Sequence, residues 1–214
     1  MSEGSPKKKP KKQRFSMLRS FVGADFVTLG NAACGTAAIF ACLEYLDGGE
    51  VIALWIAFAL LPVALLLDFL DGAVARWRHK HSPLGADMDS LADIVSFGVA
   101  PAVLGYTLGM RGGWDVVILV FFVSCGIARL ARYNVTLPTM TGDTGKVPYY
   151  EGTPIPTSLV VVGILAIALW TGNVGAEIWG GQMEIGPWKF HPLSLIYAVS
   201  GSAMVSKNLR IPKP

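Results

Sequence analysis

Six stretches of this chain are each close to the roughly 20 apolar residues that a bilayer-crossing helix needs. They run over residues 25–45, 51–76, 87–110, 114–133, 155–173 and 191–206. In lipid every backbone N–H and C=O must find its partner inside the chain, so segments of this length can only be helices. Pro62 and Pro101 fall inside the second and third, as kinks that a helix bundle tolerates. Only 15% of the residues are charged, against roughly 25% in a soluble domain. A soluble fold and a disordered chain are both excluded. Cys34, Cys42 and Cys125 all lie in apolar stretches without a C-x-x-C spacing, so they read as packing residues rather than disulfide or zinc partners. The expected fold is an all-α integral membrane protein with six transmembrane helices.

Charge placement orients it. Residues 1–19 hold seven of the 18 Lys/Arg residues. Residues 1–14 carry repelling lysines and lack an apolar core, so they read as a disordered polybasic tail and not as a cleavable signal. Residues 15–22 read as a short interfacial helix, and residues 15–214 as one domain. With both termini on one side, that side receives every Lys/Arg except Arg111 and Lys189. The positive-inside rule then puts both termini in the cytosol. The basic residues sit on a tail rather than on a stripe of the body, which argues against nucleic-acid binding.

The chemistry lies between residues 68 and 93. A 17-residue apolar run ends in DFLDGAVAR (68–76), and GADMDSLAD (85–93) opens the next segment. A charge at bilayer depth costs at least about 2.5–3.5 kcal/mol, so these carboxylates need a reason. Asp68, Asp71, Gly72, Ala75 and Arg76 fall on one stripe of a helix; Gly85, Asp89 and Asp93 fall on one stripe of the next. Asp87 points away from that second stripe. Helix capping would account for Asp89 or Asp93 but opposes Asp68 and Asp71, which sit near a C-terminal end. Four facing carboxylates stay ionised only with cations between them. All-oxygen ligation suits Mg²⁺, Mn²⁺ or Ca²⁺, and four Asp can hold two ions. Gly72 and Ala75 leave room beside the carboxylates, and Arg76 offers a fixed charge for a phosphate.

The complete pattern D-x2-D-G-x2-A-R-x8-G-x3-D-x3-D, from Asp68 to Asp93, resembles the signature of the CDP-alcohol phosphatidyltransferases. The stretches DSLADIVSFGVAPA (89–102), CGIARLARYNV (125–135) and TGKVPYYEGTPIP (144–156) resemble the serine-using branch of that family. The ending, HPL from His191 and SKNLRIPKP from Ser206, is most similar to its fungal endoplasmic-reticulum members. The resemblance implies a homodimeric six-helix enzyme using two Mg²⁺ or Mn²⁺ ions. It would move a phosphatidyl group from CDP-diacylglycerol to L-serine and release CMP, at the cytosolic face of the endoplasmic reticulum.

On that resemblance Asp68, Asp71, Asp89 and Asp93 are the metal ligands, and Asp93 also takes the serine proton. Gly72, Ala75, Arg76 and Gly85 meet the nucleotide and its diphosphate. Thr28 and Asn31 either line the cytidine side or pair with neighbouring helices. Arg129, Arg132 and Tyr133, in the RLARY stretch, are expected to receive serine, although Arg132 also fits positive-inside anchoring. Two other readings stay open: the same fold with another acceptor (inositol, glycerol phosphate or choline), and a divalent-cation transporter.

Overall fold

The computed structural model describes residues 23–78, 83–140, 149–206 and 210–212. The tail and the interfacial helix expected over residues 1–22 lie outside the described residues, as do His79 and His81. Helix α1 (Gly23–Gly48) and α2 (Val51–Arg78) form a hairpin. The turn is closed at Gly49, whose φ of 74° is a left-handed conformation that glycine adopts without steric cost, and whose N–H bonds Tyr45 O at 2.8 Å. The chain continues through α3 (Pro83–Asp93), a π-helical turn (Ile94–Val99) and α4 (Ala100–Thr107). Then come α5 (Gly113–Met140), α6 (Ser158–Trp170) and α7 (Leu195–Val205).

Among the described residues, four helices are long and apolar enough to cross a bilayer: Asp25–Gly48, Val51–Ala73, Gly85–Thr107 and Gly113–Val135. The last two expected segments do form helices, but as shorter apolar pieces, Ile155–Trp170 and Pro192–Val205. Large apolar side chains such as Phe40, Leu66, Phe69, Val120, Trp170 and Val199 face outward. Lipid solvates such a surface, whereas water would not. The chain is an integral membrane protein.

The buried face of α1 explains how the bundle closes. It carries Asp25, Thr28, Asn31, Gly35, Ala38 and Cys42. None is larger than Asn. Lipid offers no hydrophobic drive for helix association, so close backbone approach and hydrogen bonds must supply it. At Gly35 the approach is tight: a Cβ there would lie 2.7 Å from Ser96 Cα in the π turn. Around this contact pack Leu54, Leu61, Phe97, Leu104, Phe122 and Leu165, all fully buried. Tyr197 on α7 sits edge-on to Phe122 at 5.2 Å and donates its hydroxyl proton to Pro101 O.

The third expected span is not one regular helix. Its middle is π-helical, with the Ala100 N–H bonded to Val95 O. Pro101 follows at once and brings no N–H to the ladder. Two two-stranded antiparallel ribbons complete the structure. β1 (Tyr149–Glu151) pairs with β4 (Arg210–Pro212), and β2 (Met183–Ile185) with β3 (Trp188–Phe190). The PYYEG stretch, legible in sequence only as a loop, thus contributes a strand that ties down the C-terminal segment. Trp114 packs edge-on against Trp188 at 5.2 Å and bonds Ile185 O, while Trp55 meets Trp170.

Gly35→Ala tests the α1 contact. Overpacking at such a site typically costs about 1–3 kcal/mol. Thermal unfolding in detergent should show a loss of several degrees; an unchanged midpoint would mean that α1 does not rely on this approach.

Candidate functional site

The carboxylates meet where three helices converge. Asp68 and Asp71 are three residues apart on α2, and Asp89 and Asp93 four apart on α3, so each pair shares a helix face. One carboxylate oxygen each from Asp68, Asp71 and Asp89 lies within 4.8 Å of the others. Asp93 lies one turn beyond Asp89 on the same face of α3. Asp71 and Asp93 are buried, Asp68 and Asp89 half-buried. Asp87 is exposed, as its helical position predicts.

Helix α1 brackets both pairs. Thr28 donates its hydroxyl proton to Asp71 Oδ2 at 2.7 Å, and Asn31 Nδ2 donates to Asp93 Oδ1 at 3.3 Å. Ser96 Oγ in the π turn donates to Asn31 O at 2.9 Å, which fixes the bracket to the third span. Of the two expectations for Thr28 and Asn31, the structure displays the pairing with neighbouring helices. Their partners are the carboxylates themselves.

Like charges this close repel by several kcal/mol even at an effective dielectric near 20. Two hydrogen bonds do not offset that for the whole cluster. Asp89 Oδ1 is buried and has no hydrogen-bond partner among the described residues, and the same is true of Asn31 Oδ1. A buried acceptor left alone costs about 1–3 kcal/mol. Converging carboxylates with an orphaned acceptor and no nitrogen or sulfur donor fit a hard divalent cation.

The remaining predicted residues are placed as follows. Gly72 and Gly85 are half-buried on the helices that carry the carboxylates. Ala75 and Arg76 belong to the last turns of α2, and their side chains lie outside the described residues. Arg129, Arg132 and Tyr133 are half-buried on α5, where the Arg129 guanidinium stacks 5.7 Å from the Tyr133 ring centre. Helix α5 is tied to α3 close by: Asn134 Nδ2 donates to Ser90 Oγ at 3.0 Å. Sequence reasoning passed over Ser90, Asn134, Ser96 and the buried Asp25. The signal was present, since polar side chains at membrane depth must find partners. What was missing is which partner each one takes.

This combination of a helical membrane bundle and an acidic cluster on the D-x2-D-G-x2-A-R spacing defines a class. The chain belongs to the CDP-alcohol phosphatidyltransferase family, whose profile matches residues 21–191. Among relatives, it is 42% identical over 203 residues to the CDP-diacylglycerol–serine O-phosphatidyltransferase of Saccharomyces cerevisiae, covering 94% of this chain and 74% of that one. The enzyme of the same name from Mycobacterium tuberculosis is 35% identical over 153 residues, 67% of this chain and 53% of its own. That from Bacillus subtilis is 32% identical over 142 residues, 65% of this chain and 72% of its own.

The cluster predicts opposite effects of one substitution. Asp89→Asn removes repulsion, so without divalent ions the variant should unfold at a higher temperature than the parent. With Mg²⁺ or Mn²⁺ the parent should gain about 2.7 kcal/mol at one hundred times its dissociation constant, and the variant much less. Thermal unfolding with chelator and with metal reads both; a parent indifferent to divalent ions would overturn the assignment.

Proposed function

We propose that this protein transfers a phosphatidyl group from CDP-diacylglycerol to the hydroxyl of L-serine, giving phosphatidylserine and CMP. The observation that carries the reading is the bracketed set of four aspartates on the family spacing, together with 42% identity over 94% of the chain to a serine-using relative. Asp68, Asp71, Asp89 and Asp93 would hold two Mg²⁺ or Mn²⁺ ions. When bound, these would neutralise charge on the diphosphate and on departing CMP.

Each protein group has a stated task. Asp93 accepts the proton of the serine hydroxyl while that oxygen bonds to the lipid-side phosphorus and the bond from that phosphorus to the CMP oxygen breaks. Asn31 holds Asp93 in place, and Thr28 holds Asp71. Asn31 Oδ1 remains open to a donor on the cytosine. Arg76 grips the diphosphate, while Gly72, Ala75 and Gly85 leave room for the nucleotide. Arg129, Arg132 and Tyr133 receive serine, whose carboxylate suits a guanidinium.

The membrane arrangement follows from charge and length. All six apolar helices would span, the two short ones with their flanking turns reaching about 24 and 21 Å at 1.5 Å per residue. Both termini and the site face the cytosol, so acyl chains stay in lipid while nucleotide and serine stay in water. A homodimer of single-domain chains (residues 15–214) in the endoplasmic reticulum completes the reading.

CMP release from CDP-diacylglycerol by the purified protein tests it, with serine, inositol, glycerol phosphate and choline offered separately. Serine alone should support release, and Asp93→Asn should slow it by about 10²-fold or more. Release with a different alcohol would keep the metal site and overturn the serine assignment. In the same assay Arg129→Lys, which loses the bidentate fork, should raise the KM for serine more than it lowers kcat. The reverse pattern would assign Arg129 to packing.

A further inference from the structure

At the other end of the bundle lies a second polar site. Tyr45 and Thr28 are 17 residues apart on α1, about 25 Å at 1.5 Å per residue. Around Tyr45 the junction of α4 and α5 meets the segment before α7 to form a cavity of about 460 Å³. Its walls include Arg111, Gln182, Lys189 and His191 and no acidic residue.

The cavity is built into the fold. Gly175 N–H bonds Leu108 O at 2.7 Å, and Gly109 (φ 131°) lies so close that a Cβ there would be 2.7 Å from Gly175 Cα. A Cβ on Gly112 would strike the backbone of Lys189. Asp115, fully buried, accepts from Gly112 N–H at 2.9 Å and from His191 N–H at 2.8 Å. Its Oδ2 also meets His191 Nδ1 at 2.6 Å. That contact fixes the orientation of the imidazole. His191 is 3% exposed, and its Nε2 is buried with no partner among the described residues.

Two cations line the same cavity. Arg111 commits Nε to Tyr106 O and Nη2 to Thr107 O, both at 3.2 Å, which holds its guanidinium at the cavity wall. Lys189 has Glu184 as its cross-strand neighbour, yet no ion pair joins them among the described residues. Helix capping accounts for part of Arg111. It leaves Lys189 and the buried His191 Nε2 without a task.

We propose that this cavity binds a phosphate group, with Arg111 and Lys189 as the charged donors and His191 as a polar part of the wall. Donors from separate elements suit a tetrahedral oxyanion better than a planar carboxylate, and two flanking cations disfavour a metal ion. The same chemistry is offered by free phosphate and by the headgroup of a phosphatidate lipid.

Binding to the full chain in neutral detergent decides. Chelator is present, so that the carboxylate cluster recruits no phosphate through a metal. Inorganic phosphate and dihexanoyl phosphatidate are titrated separately by calorimetry. At least one should saturate at one per chain, and Lys189→Glu and Arg111→Ala should each weaken it by about tenfold or more, while Asp68→Asn leaves it unchanged. Saturation by phosphate identifies a free-phosphate site; saturation by the lipid alone identifies a headgroup site. No saturation by either, or equal affinity in Lys189→Glu, overturns the proposal. Lys189 is exposed on a short ribbon, so its variant keeps the test valid if a His191 variant fails to fold.

Discussion

The contact on which the bundle depends is the thin face of α1. Because it carries nothing larger than Asn, α1 lies against α2 and the third span at once. Its polar half, Asp25 to Asn31, then reaches the carboxylates, while its small half, Gly35 to Cys42, packs among Leu54, Leu61 and Leu104. In water such a face would bury little apolar area and hold weakly. In lipid, where apolar burial is no gain, dispersion contacts and satisfied polar groups decide. Close approach and site geometry are thus one requirement: if α1 moves out, Asp71 and Asp93 lose their donors together.

The carboxylate site was readable because helical spacing is local. Asp68 with Asp71, and Asp89 with Asp93, are placed on shared faces by 3.6-residue periodicity alone. The helix positions were readable for the same reason, as all six apolar segments contain a helix. The bonds from Thr28 to Asp71 and from Asn31 to Asp93 span 43 and 62 residues, and composition says only that each polar group needs some partner. The π turn at Ile94–Val99 is a hydrogen-bond register set by packing on Ser96 and by Pro101, so periodicity could not show it. Tyr149–Glu151 reads as a turn-rich loop because its partner strand lies near the end of the chain.

The molecule is electrically divided. One end of the bundle gathers Asp68, Asp71 and Asp89 around a site fit for cations; the other presents Arg111, Lys189 and a carboxylate-backed imidazole around a cavity without acids among its described lining. The division coincides with the structural one. The acidic end rests on long helices, whereas the basic end rests on short ribbons and turns sewn down by close glycine contacts. Among the described residues each end has buried polar atoms without a partner, Asn31 Oδ1 and Asp89 Oδ1 at one and His191 Nε2 at the other.

The α1 bracket also bears on how such a chain is made. Helices enter a membrane in order, and α1 and α2, joined by Gly49 and Glu50 alone, precede the third span. That hairpin already contains both partners of the Thr28–Asp71 bond. Asn31, however, waits for Asp93, which arrives only with the third span. Until then its amide sits at membrane depth without that partner, and Asp68 and Asp71 face each other without the rest of the cluster. Early in synthesis the hairpin therefore holds polar groups whose partners have yet to be made.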